Sequence, residues 1–162
     1  MEPSSTYYDY WPTSTLQRQV LLGGHDLRLV RRGAFSVSSL NGYPVTLVED
    51  LMRHRAGLSA EELLNELGTT VYDEVCTTIV SQAVRESPPH VIALPAAWVP
   101  SDRASFDGTT SIALYYNETS SLDLDETLAR FDRWADGVIS VPARIGDSAL
   151  STRILEAIEQ AR

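Results

Sequence analysis

The chain has 162 residues, 43% of them apolar, and carries a formal charge of -9 at pH 7. That length supports one domain with a real core and excludes two ordinary ones. No run approaches the roughly 18 apolar residues a membrane span needs, and the acidic balance argues against a nucleic-acid partner.

All 13 basic residues are arginine, with no lysine. Schiff-base catalysis needs a lysine amine, and the phosphate-binding loop G-x-x-x-x-G-K-[ST] needs a lysine on the transferring phosphates, so both are excluded in those forms. Cys76 is the sole cysteine, and His25, His54 and His90 are scattered. Neither an internal disulfide nor a His/Cys metal cluster is expected, and no cofactor is implied. Glu2 and Asp9 interrupt the first twenty residues, which contain no apolar run, so a signal peptide is not expected and the expected location is cytoplasmic.

Residues 1–13 crowd Tyr7, Tyr8, Tyr10 and Trp11 beside Pro3 and Pro12 without helical or strand period. They read as an aromatic arm, which either pins the terminus to the domain or makes a partner contact. Residues 14–162 read as a single domain. Five short apolar runs, QVLLGG, PVTLV, HVIALP, TSIALYY and GVISVP, are bounded by Gly, Pro or polar residues, as buried strands should be. Helical spacing separates them: Ser59 to Leu67, opened by a Ser59/Glu62 capping box, then Thr70 to Glu86, Leu124 to Trp134 and Ser148 to Arg162. Strands alternating with helices predict a three-layer α/β/α domain around a five-stranded, mainly parallel sheet.

From Gly42 to Val99 the chain resembles the shikimate kinase family, with Pro44, Leu51, Ala56-Gly57-Leu58-Ser59, Glu62 and Gly68 in register. Thr110 to Tyr116 and Ala135-Asp136-Gly137-Val138 match the family's last two strands. The resemblance implies a kinase-type α/β fold and shows where this chain departs from it. Of the phosphate loop Gly24 remains, while Leu29 stands for the second glycine, Val30 for the lysine and Arg31 for the Ser or Thr that holds magnesium. The stretch from Tyr116 to Leu124 is too short for the family's lid. Thr127 stands at a substrate-facing Arg, with Arg130 a turn away. ATP- and metal-dependent phosphoryl transfer is therefore expected to be lost.

At the acceptor end the family's Asp-x-Asp pair becomes Leu47 and Glu49, its carboxylate-binding Arg becomes Asp73 beside Tyr72, and its G-G-G strand end becomes Pro95-Ala96-Ala97 ahead of Trp98. The pocket is expected to be either reshaped for another ligand or filled. Glu49, Asp73 and Tyr72 are the candidate catalytic groups, since a buried carboxylate with a raised pKa exchanges protons; Glu49 and Asp50 also read as ordinary first-turn acids facing a helix dipole. Trp98, Arg130, Arg31, Arg28 and His25 are the candidate ligand-binding residues, although the arginines also read as partners for surface acids. Cys76 reads as a core thiol.

Over Leu27 to Ser38 the glycine and serines suit a helix poorly, and the alternation favours a hairpin replacing the family's first helix. Two functions follow. One is an ATP- and metal-independent acid/base enzyme of cyclase, isomerase or lyase type, acting in specialised biosynthesis on a small neutral or amine-bearing metabolite. The other is a pseudokinase that binds or scaffolds, with the arm or hairpin as a homodimer contact.

Overall fold

The alternation along β1 (Val20–Gly24) divides the core in two. Val20 and Leu22 point into one apolar cluster and Leu21 into the other, and all three are buried. β1 lies between β3 (Val91–Ala93) and β4 (Thr110–Tyr116), and both pairings are parallel. β2 (Val45–Leu47) and β5 (Gly137–Val141) complete a five-stranded, all-parallel sheet in the order β2-β3-β1-β4-β5. In this computed structural model the described residues are 18–85, 89–100, 106, 108–117 and 129–161. The aromatic arm of residues 1–13, Thr127 and most of the Tyr116 to Leu124 stretch lie outside them. Among them, no helix is long and apolar enough to cross a membrane.

α1 (Leu27–Asn41) and α4 (Asp147–Gln160) cover the first face. The segment from Leu27 to Ser38 is helix throughout, which corrects the expected hairpin. Two interactions outweigh the poor local propensity. The Asp26 carboxylate caps the helix start, accepting from the backbone N–H groups of Arg28 (2.9 Å) and Leu29 (3.4 Å). Gly33 sits where the helix presses onto the sheet, and a Cβ there would lie 2.9 Å from Leu114 Cδ1 and 3.0 Å from Ile154 Cδ1. The glycine that reads as a helix breaker is what lets the helix approach this closely. Ser36 satisfies its hydroxyl within the helix by donating to the Gly33 carbonyl.

α2 (Val48–Ala56) and α3 (Ala60–Arg85) cover the second face. The capping box forms as read: Ser59 Oγ accepts from the Glu62 N–H, and Glu62 Oε1 accepts from the Ser59 N–H. The two expected helices from Ser59 onward join into α3, broken at Gly68, whose φ of 83° lies in the left-handed region. Residues 129–134, the described end of the helix expected over Leu124 to Trp134, pack Phe131 and Trp134 into the same cluster.

Two substitutions test this account by urea denaturation. Removing the cap with Asp26→Ala lowers unfolding stability by about 1 kcal/mol. Gly24→Ala brings a Cβ to 2.4 Å from the Leu114 carbonyl oxygen, so backbone must move, and it costs about 1–3 kcal/mol.

Candidate functional site

The carboxyl ends of parallel strands open into the crevice where α/β folds place their ligands. Here that end is built by the turn after β3, Pro95 to Trp98. Its backbone donors are taken in succession. The Ala96 N–H donates to the Glu49 carboxylate, the Ala97 N–H to the Gly24 carbonyl at 2.8 Å, and the Trp98 N–H to the Pro95 carbonyl at 3.2 Å. Ala97 adopts φ 60°, a left-handed conformation that costs a non-glycine residue about 1 kcal/mol or more. Trp98 is thereby tucked inward, only 5% exposed, and its indole Nε1 donates to Asp73 Oδ1 at 3.0 Å.

Beside this turn is an open cleft of about 600 Å³. α3 supplies Leu64, Tyr72 and Asp73 as one wall, and the helical residues 129–134 supply Arg130, Arg133 and Trp134 as another. An Arg130 guanidinium N–H donates to the Ala97 carbonyl at 3.5 Å.

Glu49 is not a wall of the cleft but lies behind one, holding the N–H of the wall residue Ala96. Burial pushes its carboxyl above the ordinary carboxylate range, with Asp50 adding to the rise, while the Ala96 N–H, Arg31 and Arg53 pull it back. Glu49 Oε2 is buried and has no hydrogen-bond partner among the described residues. Burial also raises the Tyr72 phenol, helped by its contact with Cys76 and the negative field of Glu49. The Cys76 thiol is fully buried and pushed up to about 12, chiefly by burial, which agrees with its reading as a core residue.

The structure thus gathers Tyr72, Asp73, Trp98 and Arg130 in one cleft, with Glu49 directly behind it. His25, Arg28 and Arg31 are elsewhere. His25 and Arg28 are exposed at the β1–α1 turn, and Arg31 pairs with Asp50 at 3.4 Å on the surface, as the surface-pair reading anticipates. Arg133 and Trp134 were missing from the expected set. Arg133 is three residues from Arg130, a spacing that puts both on one helical face.

The β1–α1 connection is short. Only His25 and Asp26 separate the strand from the helix. Leu29 and Val30 are fully buried inside α1, and the helix start is occupied by the Asp26 carboxylate. Among the described residues no group of three or more His, Cys, Asp or Glu side chains is placed to hold a metal ion.

No protein-family model and no curated protein matches the chain. Among solved structures, the shikimate kinase from Acinetobacter baumannii in complex with shikimate is similar at TM-score 0.69 and 12% identity, covering 93% of this chain and 98% of that one. The fold is that of the shikimate kinases. The Aquifex aeolicus shikimate kinase gives TM-score 0.67 at 15% identity over 88% of this chain and 96% of its own. A gluconokinase from Sinorhizobium meliloti 1021 gives TM-score 0.51 at 10% identity over 90% and 93%. Within this shikimate kinase-like architecture, the cleft lies on the α3 side of the strand ends.

A group whose folded pKa is raised stabilises the fold fully below its unfolded pKa and loses that contribution as pH rises through the folded value. Ionised Glu49 therefore weakens the fold near neutrality. Glu49→Gln, which keeps an acceptor for the Ala96 N–H, raises the melting temperature at pH 7, and the gain disappears below pH 4.5, its ordinary value. Trp98→Phe removes the indole donor to a charged acceptor and costs about 1.5–3 kcal/mol in urea denaturation.

Proposed function

We propose that the protein binds a small metabolite in the cleft between α3 and residues 129–134 and catalyses a proton-transfer reaction there, of isomerase, cyclase or lyase type, without nucleotide or metal. Glu49 is the proton store behind the wall, Tyr72 is the wall residue whose hydroxyl would pass its proton to and from the ligand, and Asp73 takes a donor of the ligand. The observation that carries this reading is the Glu49 carboxyl. It has one orphaned, buried oxygen and a raised pKa immediately behind the wall of an open cleft. Such a group is costly to the fold, and its raised pKa makes it a better proton holder than an ordinary carboxylate.

The nucleotide side supports the same reading. A phosphate cradle needs a glycine-rich turn with free backbone N–H groups at a helix start and a lysine over the phosphates. Here a two-residue turn leads into a helix already capped by Asp26, and Val30, which the sequence resemblance sets opposite the family's lysine, is fully buried. The Ala97 N–H is bonded to the Gly24 carbonyl, which draws the acceptor-side turn over the end of β1. The residues present do not fit a bound triphosphate.

The test is solvent exchange. Full-length protein is incubated in D2O with a fractionated small-metabolite extract, without ATP, and the products are read by mass spectrometry. One metabolite is expected to gain carbon-bound deuterium, isomerise or lose a small molecule. Glu49→Gln slows this by about 100-fold or more, the usual worth of a positioned acid/base. An equal rate in Glu49→Gln, no change in any metabolite, or consumption of added ATP with magnesium would each overturn the reading.

A further inference from the structure

The sheet ends in two edges of unequal character. β2 has three residues, and shortness is itself a guard against pairing, whereas β5 runs for five residues with no proline, charged residue or bulge among them. Among the described strands β5 pairs with β4 alone. The Asp136 N–H donates to the Ser111 carbonyl across that pairing, so by alternation Gly137 and Ile139 turn their N–H and carbonyl groups to the open side. Val138, an apolar residue, is 36% exposed at this edge. A groove of about 410 Å³ lies between the edge and α4, with Gly137, Val138 and Ile139 on one side and Arg153 and Glu156 on the other. The ion pairs among the described residues are Arg31–Asp50 and Arg32–Asp147, so neither Arg153 nor Glu156 is paired there.

We infer that two copies of the chain meet at this edge, β5 of one running antiparallel to β5 of its partner about a twofold axis at Val138, so that the two sheets become one. Gly137 of each copy then exchanges both backbone bonds with the partner's Ile139, and the two Val138 side chains form the closely spaced pair at the axis. The same axis decides what α4 meets. An axis normal to the sheet keeps both copies of α4 on one face. α4 runs back along β5, and a Cβ on Gly137 would lie 3.9 Å from the Ala157 Cβ, which sets the two elements level at that point. One residue up the strand is about 3.3 Å, or about two residues of helix, so Val138 is level with the midpoint between Arg153 and Glu156. The twofold therefore sets Arg153 opposite the partner's Glu156, and Glu156 opposite the partner's Arg153. That is the self-complementarity a symmetric interface requires.

Sedimentation equilibrium of the full chain tests this, with a cysteine at the axis as a proximity probe. The unmodified chain is expected to be a dimer at micromolar concentration. Val138→Lys sets two ammonium groups together at the axis and weakens the dimer by at least about tenfold. Arg153→Glu and Glu156→Arg each weaken it, and the two combined restore it, a recovery that a folding defect does not produce. Under mild oxidation Val138→Cys cross-links into a covalent dimer, whereas Glu61→Cys, exposed on α3, does not; Cys76 is fully buried and takes no part. A monomer under these conditions, whether the edge stays bare or the chain's own N-terminal residues cover it, overturns the inference. A dimer indifferent to Val138→Lys, or a Val138→Cys chain that fails to cross-link, overturns it equally, because the contact then lies elsewhere.

Discussion

The hydrogen bond from the Ala97 N–H to the Gly24 carbonyl, 2.8 Å long, joins the end of β1 to the turn that follows β3. Much of the site depends on it. Gly24 lacks room for a side chain because Leu114 crowds it from β4, so the strand end approaches its neighbour closely. Ala97 is held in a left-handed conformation that few non-glycine residues adopt, and this turns Trp98 inward onto Asp73. The preceding N–H, from Ala96, is thereby aimed at Glu49. One backbone contact thus sets the positions of an aromatic wall, an acid at the cleft and an acid behind it.

The same turn divides the strand-end crevice unequally. On the side of α1 a two-residue connection and a capping carboxylate occupy the helix start, while on the side of α3 the crevice opens into the cleft. The charged groups in and behind this cleft come from three separate stretches of sequence. α2 contributes Glu49, α3 contributes Asp73, and residues 129–134 contribute the arginines.

Much of the architecture was legible from sequence because its signals are local. Strand runs such as VLLGG alternate sides within five residues, and the Ser59/Glu62 box announces a helix start by itself. The start of α1 was misread for the opposite reason. Gly33 has a tertiary cause, the closeness of Leu114 and Ile154, which no local pattern carries. The grouping of Tyr72, Asp73 and Trp98 was legible through the family resemblance. The retreat of Glu49 behind Ala96 and the entry of Arg133 were not, since both depend on the path of the turn after β3 and on how residues 129–134 lie against it.

Gly68 divides α3 into two rigid pieces, and a side chain at that position would meet nothing within 4 Å. Leu64 lies on the first piece, whereas Tyr72 and Asp73 lie on the second, all three around the same cleft. The apolar part of this wall is therefore mechanically separate from the part that carries charge. In the proposed function, drift in the segment from Ala60 to Leu67 would change which body fits while Tyr72 and Asp73 keep their geometry, so that selectivity and chemistry would evolve at different rates.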